Sequence, residues 1–321
     1  MQKVLVTGAT GFVGRHLCDL LARRGYQVVG TARSLPAGAG NPGYELHEVA
    51  DIGADVDWDP ILDGVDCVVH LAARVHVMDE QETDPLAAFR RVNVEGTQRL
   101  LRSDGMRNVK RCVFLSTVKV HGEATRASPF TVGDTPAPAD PYAQSKLEAE
   151  RCLEGIGSEI GLETVIIRPP LVYGPGVGGN FYRLMKMVSK GVPLPFGRID
   201  NRRSLVGVEN LCDLILECLS NPSASGNRFL VSDNSDVSTA ELVRAIASVM
   251  GRPARLLPVP QGMLVFAARL LGKSAEAARL TGSLQVDTRD TMRILNWQPP
   301  LELSDGVKSA VDWYQEQGKD A

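Results

Sequence analysis

The chain has 321 residues, 44% of them hydrophobic and 23% charged, with a formal net charge of −3. That length and apolar content bury a large core, in one large domain or two closely packed ones. The near-neutral charge excludes a nucleic-acid binder that works mainly through phosphate contacts, but leaves room for a local basic pocket that holds a diphosphate.

Short apolar runs alternate with amphipathic stretches over the first half. Lys3–Thr7, Gln27–Thr31, Tyr44–Val49, Cys67–His70, Arg111–Ser116 and Glu163–Arg168 read as strands. Several are apolar on both faces, which belongs to a parallel sheet covered by helices. The intervening Val13–Arg24, Pro85–Arg102 and Pro141–Glu154 carry helical periodicity. This β–α alternation predicts an α/β fold with a doubly wound parallel sheet. Beyond Arg168 proline and glycine cluster in Pro169–Gly179 and Gly191–Gly197, read as long loops at the mouth of a site. One late strand, Phe229–Val231, is expected, and the remainder is helical, as a smaller domain interleaved with the first. The expected units are 1–168 plus about 204–232 for the dinucleotide, and about 169–203 with 233–321 for the substrate.

Cys18, Cys67, Cys112, Cys152, Cys212 and Cys218 form no C-x-x-C pair and no cluster with histidine, so no metal site is expected. They read as reduced core residues and imply a reducing, cytoplasmic setting. Val4–Val6 runs straight into a glycine loop rather than a cleavage site. Met263–Leu271 contains Arg269 and is too short for a bilayer. A soluble protein without a membrane partner is expected.

Thr7-Gly8-Ala9-Thr10-Gly11-Phe12-Val13-Gly14 follows the first strand and opens the first helix. Glycines there permit the tight turn, close approach of a pyrophosphate and helix–sheet packing, while the helix N-terminus offers free N–H groups to phosphate. The second strand ends Gly30-Thr31-Ala32-Arg33-Ser34, without the acid that would bond the adenosine ribose. Arg33 suits a 2′-phosphate and an adenine face, which favours NADP(H), with NAD(H) as the alternative. Further on, Tyr142-Ala143-Gln144-Ser145-Lys146 puts a phenol and an ammonium on one helix face. That spacing is common in helices; behind a dinucleotide turn it reads as an acid–base pair, the lysine bringing the phenol toward working pH.

Taken together, these motifs resemble the extended short-chain dehydrogenases/reductases, a Rossmann-type family that includes nucleotide-sugar epimerases, dehydratases and reductases. The likeness runs over most of the chain. It implies that Gly8, Thr10, Gly11, Phe12, Val13 and Gly14 cradle the cofactor, and that Asp51-Ile52 contacts adenine. His70-Leu71-Ala72-Ala73 resembles the H-x-A-A segment under the cofactor, and Asn93 the structural asparagine of the active-site helix. Aligned on Gly122, Thr117 takes the place of the catalytic hydroxyl, beside Tyr142 and Lys146; Ser116 is its rival and a cofactor contact. Arg168-Pro169-Pro170-Leu171-Val172-Tyr173-Gly174-Pro175 resembles the R-P-x-x-V-Y-G-P turn, with Pro169 and Val172 against the nicotinamide.

On the substrate side the resemblance implies Thr117, Val118, His121 and Tyr142 near the sugar, with His121 more a packing residue than a base. Asn180, Arg203 and Arg279 are implied at the diphosphate, and Pro193–Phe196 at the nucleotide base. Val118-Lys119 replaces the Asp-Glu pair of dehydratases. With Arg33, the segments Leu115–Gly122, Arg203–Val206 and Leu280–Ser283 make the chain look most like NADPH-dependent 4-keto-6-deoxy sugar-nucleotide reductases, which make UDP-N-acetylquinovosamine or UDP-N-acetylfucosamine for surface polysaccharide (O-antigen, lipopolysaccharide). An NAD-dependent UDP-hexose 4-epimerase is the alternative. A reductase of non-sugar ketones and a non-catalytic NADP(H)-binding regulator are further ones. Relatives pair the Asn93 and Tyr142 helices, which implies a homodimer.

Overall fold

The computed structural model of the protein describes residues 1–35, 43–53, 56–75, 83–272 and 274–317. Seven strands form one parallel sheet: β1 (Lys3–Thr7), β2 (Gln27–Ala32), β3 (Glu45–Glu48), β4 (Cys67–His70), β5 (Arg111–Leu115), β6 (Glu163–Arg168) and, last in the chain, Arg228–Leu230. The order is β3-β2-β1-β4-β5-β6 with Arg228–Leu230 at the far edge. Val4 therefore pairs with Val28 on one side and Cys67 on the other. The order reverses between β1 and β4, and a sheet of this kind opens its binding crevice at that point, beyond the carboxyl ends of the strands.

Side chains of a strand alternate between faces, and here both faces are buried. Val4, Val6, Val69, Val113, Val165 and Ile167 enter one core, while Leu5, Val68, Phe114 and Ile166 enter the other. That double burial explains why the strands read as continuous apolar runs. Helix α1 (Phe12–Arg23) brings Leu17 and Leu21 to the first core. The second core is closed by α2 (Asp59–Leu62) and by a rod made of α3 (Pro85–Arg90), a π turn at Arg91–Glu95 and α4 (Gly96–Arg102). It is completed by α5 (Pro141–Ile160), which is fixed at both ends. Asp140 accepts a hydrogen bond from the Ala143 amide with Pro141 in the first turn, and Gly161 closes the helix in the left-handed region.

The stretch after Arg168 is more ordered than its prolines suggested. β7 (Leu171–Tyr173) pairs in parallel with β8 (Leu205–Gly207), Leu171 opposite Leu205. Proline ends a sheet ladder but not the following residues, and the intervening α6 (Gly179–Ser189) makes the crossover. α7 (Val208–Ser220) then returns to the first core and leads to β9 (Arg228–Leu230). The rest of the chain is α8 (Thr239–Val249), α9 (Gln261–Leu270), α10 (Ser274–Thr281), α11 (Arg289–Leu295) and α12 (Leu303–Gln317). A third core joins Tyr173 and Phe181 to Val243, Ile246, Val307 and Val311. Within Pro193–Phe196, the segment expected beside a nucleotide base, Leu194 and Phe196 enter this core while Pro193 stays exposed.

Candidate active site

The glycine turn is shaped by close backbone approach. Gly8 has φ +71°, and a Cβ there would stand 3.0 Å from the Ala72 amide nitrogen. A Cβ at Gly14 would stand 2.2 Å from the Gly8 carbonyl oxygen. Gly11 is the N-cap of α1 and contributes no side-chain cap, and no acid lies in the first turn. The first-turn amides at Phe12, Val13 and Gly14 are thus disposed toward an anion, which fits a dinucleotide diphosphate. Thr10 is half-buried in the turn, and Arg33 is exposed just past β2. Asp51 accepts from the Gly53 amide at 2.9 Å and pairs with Arg91 at 3.1 Å, while Ile52 is buried against Gly96.

A buried chain of hydrogen bonds runs from this turn to α5, and its proton positions can be assigned. Thr97 Oγ1 donates to the Asn93 carbonyl at 2.7 Å, so at 3.0 Å it accepts from His70 Nε2. His70 Nδ1 then accepts from Thr7 Oγ1 at 2.7 Å, and that oxygen in turn receives the amides of Leu71 and Ala72, each at 3.1 Å. The ring is neutral: burial, followed by the charge of Lys146, takes His70 down to about 3. Asn93 accepts from the Arg74 amide at 2.8 Å and donates to the Arg74 carbonyl at 3.0 Å and to Ser145 Oγ at 2.9 Å. Ser145 Oγ donates to the Tyr142 carbonyl at 2.8 Å. Both amide hydrogens of Asn93 are used, so the catalytic role expected of it becomes one of position, locking the loop after β4 to the helix that bears Tyr142. Ala73, half-buried, belongs to that loop.

Lys146 is 2% exposed, and its Nζ lies 3.9 Å from the Phe114 ring centroid. Burial brings its ammonium down to about 7, partly opposed by Glu150. The Tyr142 phenol is pushed above its ordinary range, by burial first and then by Asp140. The expected lowering of Tyr142 by Lys146 is outweighed by this loss of solvent. Thr117 follows β5, and its Oγ1 accepts from the Lys119 amide at 3.3 Å. Ser116 Oγ, just past the end of β5, is buried with no hydrogen-bond partner among the described residues. The Val118 amide bonds the Pro169 carbonyl at 2.9 Å, and Val172 sits in β7.

A cavity of about 650 Å³ gathers Thr117, Val118, Tyr142, Asn180, Arg203 and Arg279 on its lining, with apolar walls from Leu171, Phe181, Leu184, Leu242 and Leu280. Arg203 is half-buried, and loss of solvent lowers its pKa; its Nη1 donates to the carbonyls of Arg279 and Gly282 at 2.8 and 3.1 Å. Asn180 and Arg279 are exposed at the rim. His121 is not among the lining residues. Its Nε2 accepts from Arg168 at 2.9 Å and its ring stacks on Phe130, so its predicted substrate contact is replaced by packing. Burial, then Arg168, takes it down to about 4. Lys119, noted in the sequence only as standing in place of a dehydratase acid, also lines the cavity, with Glu123 and Arg183, which carried no signal in the sequence. Lys119 pairs with Asp140 and, at 3.2 Å, with Glu123. The Asp140 pairing had no local signal, because the partners lie 21 residues apart. A shallower groove of about 700 Å³, with Trp58, Glu95 and Arg99 among its lining, carries none of the predicted site residues. Among the described residues no three His, Cys, Asp or Glu side chains are grouped to hold a metal ion.

A seven-stranded parallel sheet with a glycine turn at its reversal, and beside it a helix that bears half-buried Tyr142 and buried Lys146, defines a Rossmann-type short-chain dehydrogenase/reductase. The chain belongs to the NAD dependent epimerase/dehydratase family, whose sequence profile matches residues 4–232. It is 45% identical over 312 residues to a UDP-glucose 4-epimerase of Vibrio cholerae, covering 97% of this chain and 94% of that one. It is 30% identical over 270 residues to the N-acetyl-alpha-D-glucosaminyl-diphospho-ditrans,octacis-undecaprenol 4-epimerase of Escherichia coli O157:H7, covering 82% and 77%. The fold superposes on the UDP-glucuronic acid 4-epimerase from Bacillus cereus in complex with NAD, with TM-score 0.78, 22% identity, and 98% and 99% of the two chains covered.

Proposed function

We propose that this protein interconverts the C4 epimers of a UDP-hexose or UDP-N-acetylhexosamine, with NAD(H) retained through the cycle. What carries the reading is a single cavity that holds Tyr142 and Thr117 together with Arg203 and Arg279, in a chain 45% identical to a protein named as a UDP-glucose 4-epimerase. A bound nicotinamide would supply the hydride acceptor and donor at C4. Tyr142 takes the C4 hydroxyl proton and returns it, Thr117 hydrogen-bonds the same oxygen, and Lys146 stabilises the phenolate. Arg203 and Arg279, with Asn180 at the rim, hold the diphosphate. Gly8 to Gly14, Leu71, Ala72, Ser116, Pro169 and Val172 hold the dinucleotide. We assign 1–168 with about 204–232 to the dinucleotide and 169–203 with 233–321 to the sugar nucleotide, and propose a homodimer through the Asn93 and Tyr142 helices.

A second reading rests on Arg33. An exposed arginine at the end of β2, where an acid would meet a ribose, suits NADPH and a 4-keto-6-deoxy sugar-nucleotide reductase. The two readings separate in one assay. An epimerase equilibrates UDP-N-acetylglucosamine with UDP-N-acetylgalactosamine, or UDP-glucose with UDP-galactose, without net cofactor turnover. Tyr142→Phe should slow that reaction by roughly 10²–10⁴-fold. Stoichiometric loss of NADPH with UDP-4-keto-6-deoxy-N-acetylglucosamine, and no epimer formed, would establish the reductase instead.

A further inference from the structure

Helix α9 buries none of its residues. Leu264 and Ala268, one turn apart, are its half-buried positions, and Leu264 packs on the third core. Met263, Phe266 and Leu270 are 62%, 64% and 73% exposed, and Leu271, which follows, is 72% exposed. Positions i, i+3 and i+7 share one helical face, so these side chains form a continuous apolar stripe. A folded protein seldom leaves such a stripe bare unless it has a partner.

Charge indicates which partner. Residues 251–282 hold five Lys/Arg and one Glu, a net +4 within a chain whose net charge is −3. Arg252, Arg255, Arg269 and Arg279 are all exposed. Phe, Leu and Met on one face with Arg269 on the same helix, and further exposed arginines in the segments that flank it, is the composition of a helix that lies in the boundary between headgroups and acyl chains. Cations next to such a helix meet anionic headgroups favourably. Among the described residues no helix is long and apolar enough to cross a membrane, so the contact is with a surface.

We propose that α9 docks this protein peripherally on an anionic lipid bilayer. Met263, Phe266 and Leu270 enter the headgroup–acyl boundary, and Arg252, Arg255 and Arg269 meet the lipid phosphates. A single ten-residue helix makes this a reversible attachment. α10 packs against α9 and supplies Arg279 and Leu280 to the cavity, so the docked face adjoins the rim of the active site. The docking does not depend on which reaction the cavity performs.

Flotation of the full-length protein with vesicles tests this. Mixed phosphatidylglycerol–phosphatidylcholine vesicles should carry at least roughly ten-fold more protein than pure phosphatidylcholine, and raised salt should release it. The double variant Phe266→Ser/Leu270→Ser should lose that binding while keeping the wild-type melting temperature and sugar-nucleotide turnover. Equal recovery with both vesicle types, or flotation of the double variant at the wild-type level, overturns the proposal. It is also overturned if neither protein floats and the double variant turns a dimer into a monomer by light scattering, since the occupant is then a second copy of this chain.

Discussion

Tyr142 and Lys146 lie one turn apart on α5, and removal from water pushes both toward their neutral forms. For Lys146 the consequence is measurable. Its folded pKa is about 7 against an ordinary 10.5. Between those values the unfolded chain binds a proton that the folded chain does not, so stability rises with pH through this window, and below about 7 the penalty is complete. The slope contributed by one such group is at most about 1.4 kcal/mol per pH unit. Buried Cys18, Cys112, Cys212 and Cys218 are shifted upward and work in the opposite direction near the top of the window. The quantity to read is therefore the difference between wild type and Lys146→Met, which keeps those thiols. Chemical denaturation from pH 7 to 9.5 should show the variant more stable at pH 7 and the gap closing as pH rises. A gap independent of pH would mean that Lys146 remains charged in the folded protein.

At the scale of elements, the glycine turn and α1 act as one unit. Alanine is preferred to glycine in a helix by about 1 kcal/mol, so Gly14→Ala would stabilise an unconstrained helix. Here the added Cβ meets the Gly8 carbonyl at 2.2 Å and Ala9 backbone atoms at 2.9 Å, and backbone cannot move aside cheaply. The expected outcome is a net loss of about 1–3 kcal/mol, seen as a lower melting temperature, with at least ten-fold weaker dinucleotide binding by calorimetry. This turn was legible in the sequence because all its parts lie within eight residues, as was the Tyr142–Lys146 pair within five. β7 was not, since Pro169 and Pro170 mask a three-residue strand whose partner is Leu205–Gly207, 34 positions on. The role of His121 was equally hidden: it depends on Arg168, 47 residues away, which also forks onto Glu150 at 2.6 and 3.0 Å.

Across the whole molecule, the parallel sheet could be read from strands apolar on both faces, but the order of its strands and the assembly of a third core from Tyr173 to Val311 could not. Nor could the chain of bonds from Thr7 through His70, Thr97 and Asn93 to Ser145, which links the glycine turn to the helix that bears Tyr142 and Lys146. Its first and last members, Thr7 and Ser145, are separated by 138 positions of sequence, and no periodicity connects them. The chain depends on a neutral ring, because Nδ1 must accept from Thr7 while Nε2 donates to Thr97. Folding holds His70 near 3 against an ordinary 6.5. Between these values the unfolded chain carries the extra proton, so stability falls as pH drops from about 6.5 toward 3, again by at most about 1.4 kcal/mol per unit. His121, held near 4, adds a second descent over part of the same range. His70→Gln removes the first while leaving the second. It should cost about 1–3 kcal/mol at pH 7, because Thr7 and Thr97 lose a fitted partner, yet its acid limb should be shallower than that of wild type. Parallel acid limbs in urea titrations from pH 7 to 4 would show that the ring is not held neutral, and that the directed chain from the glycine turn to α5 is not what sets its protonation.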